Sequence, residues 1–188
     1  MNDTPPVTLA VDGAVAVATL NRPAQYNAID LALLAALQQA VDQVAAEPAL
    51  RALVLCGAGR AFCSGGDIGT MQRHADDLPG FVGEMIDAFH ALVLSLARVR
   101  VPVIAAVHGS AAGGGFSLAL ATDLTLAARS ARFVVAYPQL GTSTDGGLSF
   151  RLQQRLGPQR ALALLMQAGA LSADAALALQ LVHELLDD

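Results

Sequence analysis

Residues 103–121 constrain this chain more than any other stretch, because they predict a strand, a glycine-rich turn and a helix in direct succession. Residues 103–107 form a short apolar run with β-branched side chains, which is typical of a buried strand. The turn at 109–115 contains four glycines, and residues 116–121 favour a helix. This order places backbone N–H groups at the positive end of a helix, where they can bind an anion or an oxygen that becomes negative during a reaction.

A second interpretation of these glycines stays open, since glycine also lets a helix pack closely on a sheet. The turn lacks the Lys-Ser/Thr pair of a phosphate-binding P-loop and the G-x-G-x-x-G spacing of a dinucleotide fold. A bound carbonyl oxygen is therefore favoured over a bound phosphate.

Strands and helices alternate along the rest of the chain, which predicts an α/β fold in a single domain of residues 1–188. The chain opens with a hairpin whose turn is Asp12-Gly13, and Asp30 is the predicted N-cap of the first helix. Residues 71–80 are polar and predict a mobile loop before a helix at 81–99. The other predicted elements are strands at 52–56, 123–127 and 132–136, helices that start near 148, 158 and 173, and glycine-rich loops at 57–67 and 141–147.

Composition and charge argue against several classes of function. Hydrophobic residues make up 54% of the chain, yet no apolar run of about 18 residues lacks a charge or a turn signal, so no membrane span is predicted. The net charge of −5, without a basic stripe, argues against a nucleic-acid partner. No secretion signal is seen, so Cys56 and Cys63 are predicted to be free thiols of a cytoplasmic protein. The histidines lack metal-ligand spacing, and no metal site is predicted.

Four motifs follow one another at characteristic separations: residues 21–23 with 27–28, residues 59–67, residues 102–109 with 113–115, and residues 121–123. Together they resemble the crotonase superfamily, which is the enoyl-CoA hydratase/isomerase family, over residues 7–182. The resemblance implies a spiral of ββα units, an acyl-CoA substrate and no cofactor beyond its CoA moiety. It also implies a homotrimer or hexamer, and the C-terminal helices that family members use for trimer assembly are expected to be missing here.

The resemblance assigns site residues by position. The backbone N–H groups of Ser64 and Gly114 match the two donors of an oxyanion hole, which would polarise the thioester carbonyl. A second set matches the surface that binds CoA in the family. Its first member, Arg22, matches a place where the family often contacts a CoA phosphate. This set consists of Arg22, Ala61, Gly65, Gly66, Asp67 and Ile68.

The sequence departs from the family's hydratases at their two catalytic glutamates, which are replaced by Ser117 and Tyr137. Water addition needs an acid and a base, so efficient hydration is not expected. Asp145 is similar in position to the acid/base aspartate of the isomerases, and equally to the nucleophilic aspartate of 4-chlorobenzoyl-CoA dehalogenases. His90 falls where the dehalogenases carry their general base, and Tyr137 is either an acid or part of the pocket wall.

Simpler roles remain open for the same residues: Asp145 could only cap the following helix, and His90 could only be a packed histidine. The sequence favours double-bond isomerisation of an acyl-CoA with Asp145 as acid and base. The alternatives are dehalogenase-like hydrolysis by Asp145 and His90, enoyl-CoA hydration, and acyl-CoA binding without catalysis.

Overall fold

A computed structural model describes residues 4–167 and 169–188 of the chain. Its strands are β1 (Val7–Asp12), β2 (Val15–Leu20), β3 (Ala52–Gly57), β4 (Val103–Val107), β5 (Ser110–Ala112), β6 (Leu124–Ala128), β7 (Arg132–Val134), β8 (Ala170–Ser172) and β9 (Glu184–Leu186). Its helices are α1 (Leu31–Ala46), α2 (Ile68–Arg73), α3 (Leu78–Arg98), α4 (Gly114–Leu120), α5 (Tyr137–Leu140), α6 (Leu148–Leu156), α7 (Pro158–Gln167) and α8 (Ala173–Ala178). The predicted α/β class is confirmed.

The main sheet has six strands in the order β1-β2-β3-β4-β6-β9. β1 and β2 form the predicted antiparallel hairpin, and each later pair of neighbours in this sheet is parallel. The carboxyl ends of parallel neighbours lie at one edge of a sheet, which is where ligands bind in many α/β folds. The two glycine-rich loops that follow β3 and β4 therefore leave the sheet side by side.

A second sheet of three strands, in the order β5-β7-β8, lies beyond this edge. Its first strand belongs to the stretch after β4 that the sequence predicted to be a simple glycine-rich turn. β5 runs parallel to β7, and β7 runs antiparallel to β8. The chain thus contributes the first strand of this second sheet between the end of β4 and the start of the buried helix α4.

The helix α4 lies in the interior, and each of its residues is buried. A helix whose side chains are apolar on every face is expected to be enclosed on every face. Its Phe116 ring packs on Phe133 of β7 with ring centroids 5.4 Å apart. Ser117 is the one polar side chain of α4, and its hydroxyl has hydrogen-bond partners inside the protein.

The prediction of a mobile loop at residues 71–80 is wrong. α2 begins after Asp67, whose side chain accepts a hydrogen bond from the Thr70 N–H at 2.9 Å. α3 begins after Asp77, whose side chain accepts from the Gly80 N–H at 3.2 Å, and Pro79 lies in its first turn. Aspartate at the N-cap and proline in the first turn start a helix, so these polar residues are helix-start signals.

Smaller corrections concern boundaries. Asp12 pairs with Val15, so the hairpin loop consists of Gly13 and Ala14 and lies one residue later than predicted. β9 was not predicted, although it completes the main sheet beside β6. Asp30 caps α1 as expected, because its carboxylate accepts from the Leu33 N–H at 2.8 Å.

By length and composition alone, the stretch Ala75–Arg98 could cross a membrane, whereas the sequence analysis predicted no such span. Core helices of soluble proteins meet the same criteria, so this is weak evidence. Four side chains of α3 join the hydrophobic core, namely Met85, Phe89, Leu92 and Leu96.

Candidate active site

The two glycine-rich loops after β3 and β4 are joined by backbone hydrogen bonds. Cys63 N–H donates to the Ser110 carbonyl at 3.1 Å, and Ala112 N–H donates to the Cys63 carbonyl at 2.9 Å. A methyl group added at Gly65 would lie only 3.3 Å from the Gly114 nitrogen. The loop after β3 therefore passes directly against the start of α4, so that amide groups from both loops reach one place.

Glycine is required here both for packing and for backbone conformation. A side chain at Gly115 would collide with the Cys63 carbonyl, so this glycine serves the close packing that was one of the two interpretations of the motif. Gly65 has a φ of +93° and lies so close to the Ala112 carbonyl oxygen that a methyl group would be 2.8 Å away. Only glycine adopts this conformation without strain.

Ser64, one of the two predicted amide donors, is already paired. Its N–H donates to the Tyr26 carbonyl at 3.0 Å. A backbone N–H that is satisfied inside the protein has no hydrogen left for a ligand oxygen. The choice of Ser64 as a donor is therefore corrected, and the physical reason is a contact with a residue 38 positions earlier in the chain.

Gly66, two residues after Ser64, offers an alternative amide. Ile29 holds the residues on both sides of it, donating to the Gly65 carbonyl at 2.7 Å and accepting from the Asp67 N–H at 2.8 Å. Within residues 4–167 and 169–188, neither the Gly66 N–H nor the Gly114 N–H donates to a protein acceptor. Gly114 is the first residue of α4, so its N–H also carries part of the positive end of the helix dipole.

Asp145 lies beside these amides, in the loop between α5 and α6. A methyl group added at Gly114 would be 3.8 Å from Asp145 Oδ1. The Tyr137 hydroxyl lies 2.6 Å from the same oxygen and 2.7 Å from Ser117 Oγ. The two residues that replace the family's glutamates thus form one hydrogen-bonded cluster with the carboxylate, at the start of the buried helix.

Burial sets the titration of this cluster. Burial raises the pKa of Asp145 from its ordinary value, against the lowering effects of the Tyr137 hydrogen bond, the His90 charge and the Ser117 hydrogen bond. Burial and the neighbouring carboxylate both raise the pKa of Tyr137, so its hydroxyl keeps its proton. A carboxyl with a raised pKa is suited to proton transfer near neutral pH.

Asp145 is not simply a helix cap. The N-cap of α6 is Gly147, and that helix start has no side-chain cap. A carboxylate that is half-buried, has a raised pKa and does not cap a helix is a candidate for chemistry.

His90 lies on α3 and is exposed. Its charge acts on Asp145 and lowers the pKa of that carboxyl, but no hydrogen bond joins the two side chains in the part of the chain that the structure describes. The structure therefore places His90 within electrostatic range of Asp145, and its role as a general base stays a prediction.

Comparison with known proteins now identifies the family. The sequence model described as enoyl-CoA hydratase/isomerase matches residues 10–188. The chain belongs to the enoyl-CoA hydratase/isomerase family. Its relatives include 1,2-epoxyphenylacetyl-CoA isomerase of Escherichia coli, 37% identical, with 95% of this chain matching 68% of that protein. They also include the probable enoyl-CoA hydratase EchA14 of Mycobacterium tuberculosis, 35% identical, with 97% of this chain matching 70% of it.

Solved structures agree with this family assignment and confirm the crotonase fold. PA4980 of Pseudomonas aeruginosa superposes with a TM-score of 0.92 at 39% identity, over 100% of this chain and 80% of that one. An enoyl-CoA hydratase from Polaromonas superposes with a TM-score of 0.91 at 35% identity, over 96% of this chain and 70% of that one. The enoyl-CoA hydratase/isomerase relatives carry both isomerase and hydratase names, and this chain spans about two thirds of the length of the two sequence relatives named above.

The residues assigned to CoA by the family resemblance lie together at the rim of the loop after β3. Ile68 is 49% exposed at the start of α2, and Ala61 is buried with its carbonyl bound by the Asn27 side chain at 2.7 Å. Gly65, Gly66 and Asp67 lie between these two, and the sixth member, Arg22, pairs with Asp67. No contact inside the protein tests whether these residues bind CoA, so this assignment stays a prediction.

Arg22 has a structural role in this enoyl-CoA hydratase/isomerase family member. Its guanidinium lies 2.9 Å from Asp67 and 3.0 Å from Asp30, and it also donates to the Ala28 carbonyl. Burial opposes the ionisation of Asp67, but the Thr70 N–H and the Arg22 guanidinium together lower the pKa of that carboxyl. Asp30 and Asp67 are the N-caps of α1 and α2, so the two ion pairs hold these helix starts together beside Gly66.

The sequence analysis gave no role to Asn27, although this side chain supports the same segment. Asn27 is fully buried with a φ of +56°, and its amide donates to the Ala58 carbonyl at 2.9 Å and to the Ala61 carbonyl. Its oxygen accepts from the Arg22 N–H at 2.9 Å. Asparagine tolerates the left-handed region and has both donors and an acceptor, and this combination could have indicated a turn anchor.

Proposed function

We propose that the chain is an acyl-CoA isomerase that moves a carbon–carbon double bond, with Asp145 as its single acid and base. The observation that supports this most is the position of the Asp145 carboxylate, whose Oδ1 would lie 3.8 Å from a methyl group at Gly114. Asp145 is thus next to the unpaired amides, in a place where burial raises its pKa. The name of the Escherichia coli relative, 1,2-epoxyphenylacetyl-CoA isomerase, supports the same class of reaction.

In this proposal the groups that polarise the thioester carbonyl are backbone N–H groups. The Gly66 and Gly114 N–H groups would donate to the thioester oxygen of a bound acyl-CoA, and their donation would strengthen as that oxygen gains negative charge. Each donor of this kind contributes on the order of 3 kcal/mol to transition-state stabilisation. The positive end of α4 adds to the effect, because Gly114 is its first residue.

The proton then moves between two carbons. The ionised Asp145 carboxylate removes a proton from the α-carbon of a 3-enoyl thioester, and the electron pair of that C–H bond moves to the carbonyl oxygen as a dienolate. The resulting carboxylic acid returns the proton to the γ-carbon, the double bond shifts to the 2-position, and the C=O bond is restored. Asp145 ends as the carboxylate, so one acid/base group is sufficient.

Hydration is disfavoured because its second acid/base group is missing. Ser117 and Tyr137 stand where family hydratases carry glutamates, and burial keeps the Tyr137 hydroxyl protonated. An efficient general acid or base has a pKa near the working pH. Neither hydroxyl meets this condition, so neither replaces the missing catalytic glutamate.

The test compares wild type with Asp145→Asn, using 3-enoyl-CoA as substrate and following the conjugated 2-enoyl thioester by its ultraviolet absorbance. We expect the turnover number to fall by about 10²- to 10⁴-fold, the contribution of a positioned acid/base group. Asp42→Asn is the matched control, because Asp42 is an exposed aspartate on α1 whose carboxylate accepts a hydrogen bond from the Gln38 side chain. Equal turnover by wild type and Asp145→Asn would refute the proposed mechanism.

Two other functions are separated by the same samples. Dehalogenase-like hydrolysis needs attack by Asp145 and water activation by His90, and it would release chloride from 4-chlorobenzoyl-CoA. Chloride release from this thioester would favour dehalogenase-like hydrolysis over isomerisation. A protein that only binds acyl-CoA would show heat of binding in calorimetry and no turnover of any of these thioesters.

A further inference from the structure

We propose that Tyr137 is a positioning residue that reserves Oδ2 of Asp145 as the oxygen that exchanges protons with the substrate. This inference rests on the proposed isomerase function. It assigns a role to a hydroxyl that replaces a glutamate of the hydratases.

The direction of each hydrogen bond in the cluster follows from which groups can donate. An ionised carboxylate only accepts, so in the 2.6 Å contact the Tyr137 hydroxyl donates to Asp145 Oδ1. The single Tyr137 proton is then used, and in the 2.7 Å contact the Ser117 hydroxyl donates to the Tyr137 oxygen. The other contacts of Ser117 are longer, 3.3 Å to the Gly113 carbonyl and 3.5 Å to Asp145 Oδ1. Both hydrogen bonds therefore have the same direction: Ser117 donates to Tyr137, and Tyr137 donates to Asp145.

This chain of donors ends on one carboxylate oxygen and leaves the other open. Oδ1 accepts from Tyr137, whereas no side chain among residues 4–167 and 169–188 donates to Oδ2 of Asp145. The oxygen without a donor is the more basic of the two, because a charge-assisted hydrogen bond stabilises the oxygen that accepts it. The geometry thus orients Asp145 for catalysis through Oδ2.

The Tyr137 side chain is held firmly enough for this role. Its residue is only 6% exposed, and it is the first residue of α5, directly before Pro138. The Thr142 N–H donates to the Tyr137 carbonyl at 3.1 Å, which closes the loop behind the ring. Ser117, the other end of the donor chain, is fully buried in α4.

Three titratable groups face Asp145 from the elements around it. Tyr137 of α5 donates to it, His90 of α3 acts on it through charge, and Cys63 of the loop after β3 lies within electrostatic range. Burial raises the pKa of Cys63 to about 12, so this thiol stays neutral across the working range. The charge of His90 lowers the pKa of Asp145, so an experiment on Tyr137 must control for His90.

Removal of the Tyr137 hydroxyl has a definite sign. The hydrogen bond from Tyr137 favours the charged form of Asp145, so its loss raises the pKa of that carboxyl further. The carboxylate is the form that starts the reaction, and turnover rises as the pH rises through its pKa. The acidic limb of the pH–rate profile therefore moves to higher pH in Tyr137→Phe.

The experiment measures turnover of 3-enoyl-CoA against pH for wild type, Tyr137→Phe and Tyr26→Phe. We expect the acidic limb of Tyr137→Phe to move up by about one pH unit, the size of one hydrogen bond to a charged group. The plateau rate should fall by about tenfold, because both carboxylate oxygens then rotate freely, while KM changes little. Tyr26→Phe removes the chain's other tyrosine hydroxyl, which is exposed and bonded to Arg60, and should leave the limb in place.

A second set of variants keeps the result decisive. Ser117→Ala leaves the tyrosine ring in position and should move the acidic limb in the same direction by a smaller amount. If Tyr137→Phe does not fold, this variant tests the role of Tyr137 in its place. Repeating the profiles in a His90→Gln background removes the other side chain whose charge acts on Asp145. A wild-type limb in Tyr137→Phe, or in Ser117→Ala if the first variant is unfolded, overturns the role of Tyr137. Full turnover by Asp145→Asn would instead overturn the isomerase proposal itself.

Discussion

Gly65→Ala tests the idea that the Gly66 and Gly114 amides must lie close together. Gly65 is the residue at which the loop after β3 comes against the backbone of Ala112 and Gly114. A methyl group there would lie 2.8 Å from the Ala112 carbonyl oxygen and 3.3 Å from the Gly114 nitrogen, where ordinary contact begins at 3.4 Å. Both neighbours are backbone atoms, so neither can rotate away. The loop that carries Gly66 must move away from the start of α4.

The size of the effect follows from these distances. The methyl group is about 0.6 Å too close to the carbonyl oxygen, and misplacement of a catalytic group by roughly 1 Å costs on the order of 10²-fold in rate. Loss of one amide donor costs about 10²- to 10³-fold. We therefore expect kcat/KM to fall by about 10²-fold. The φ of +93° adds a backbone strain of about 1–2 kcal/mol to the free energy of folding.

The assay is isomerisation of 3-enoyl-CoA, with urea unfolding to measure stability in parallel. Gly13→Ala is the matched control, since Gly13 has a φ of +57° in the β1–β2 hairpin and no atom within 4 Å of an added methyl group. The control should lose about 1 kcal/mol of stability and no activity. A folded Gly65→Ala protein with kcat/KM within about threefold of the control would refute the two-amide reasoning.

Two further predictions concern the support of this site. Asp67→Asn should destabilise the protein by about 2 kcal/mol near neutral pH, because it removes one charge from the mostly buried ion pair with Arg22. The folded-state pKa of Asp67 lies below its usual 3.8, so the stability it provides is present above that pH and is lost as the pH falls through the lower value. Urea unfolding should show the wild-type advantage shrink toward about pH 3, and an advantage independent of pH would contradict the ion-pair explanation. In native protein, a thiol reagent should modify Cys56, which is half-buried, and spare Cys63, whose pKa burial raises to about 12; equal rates for both would contradict this.

Local signals in the sequence predicted the elements that local chemistry determines. Asp30 caps α1 and Ser172 caps α8 as expected, because a cap depends on a side chain and an amide three residues later. The same logic applied to Asp67 and Asp77 would have predicted α2 and the start of α3. Their polar surroundings were interpreted as a loop instead, although an aspartate followed by Pro79 is typical of a helix start.

Long-range contacts account for what the sequence could not predict in the site. The pairing of Ser64 N–H with the Tyr26 carbonyl removes this amide from the candidate donors, and no motif near Ser64 encodes that contact. The contact of Tyr137 with Asp145 depends on how the chain turns after α5, over an irregular segment without periodicity. The motifs predicted that the loops after β3 and β4 form the site. The three-dimensional structure was needed to tell which backbone amides of these loops can still donate to a ligand oxygen.

The unpaired N–H groups of Gly66 and Gly114 belong to the main chain, and this has an evolutionary consequence. Every amino acid except proline carries an N–H, so ordinary substitution cannot erase these donors, although it can shift them. The groups around them, such as Asp145, Tyr137 and Ser117, are side chains and can be exchanged one at a time. A lineage with this architecture can therefore acquire a new reaction by changing a few side chains, while inheriting the capacity to stabilise the same charged oxygen.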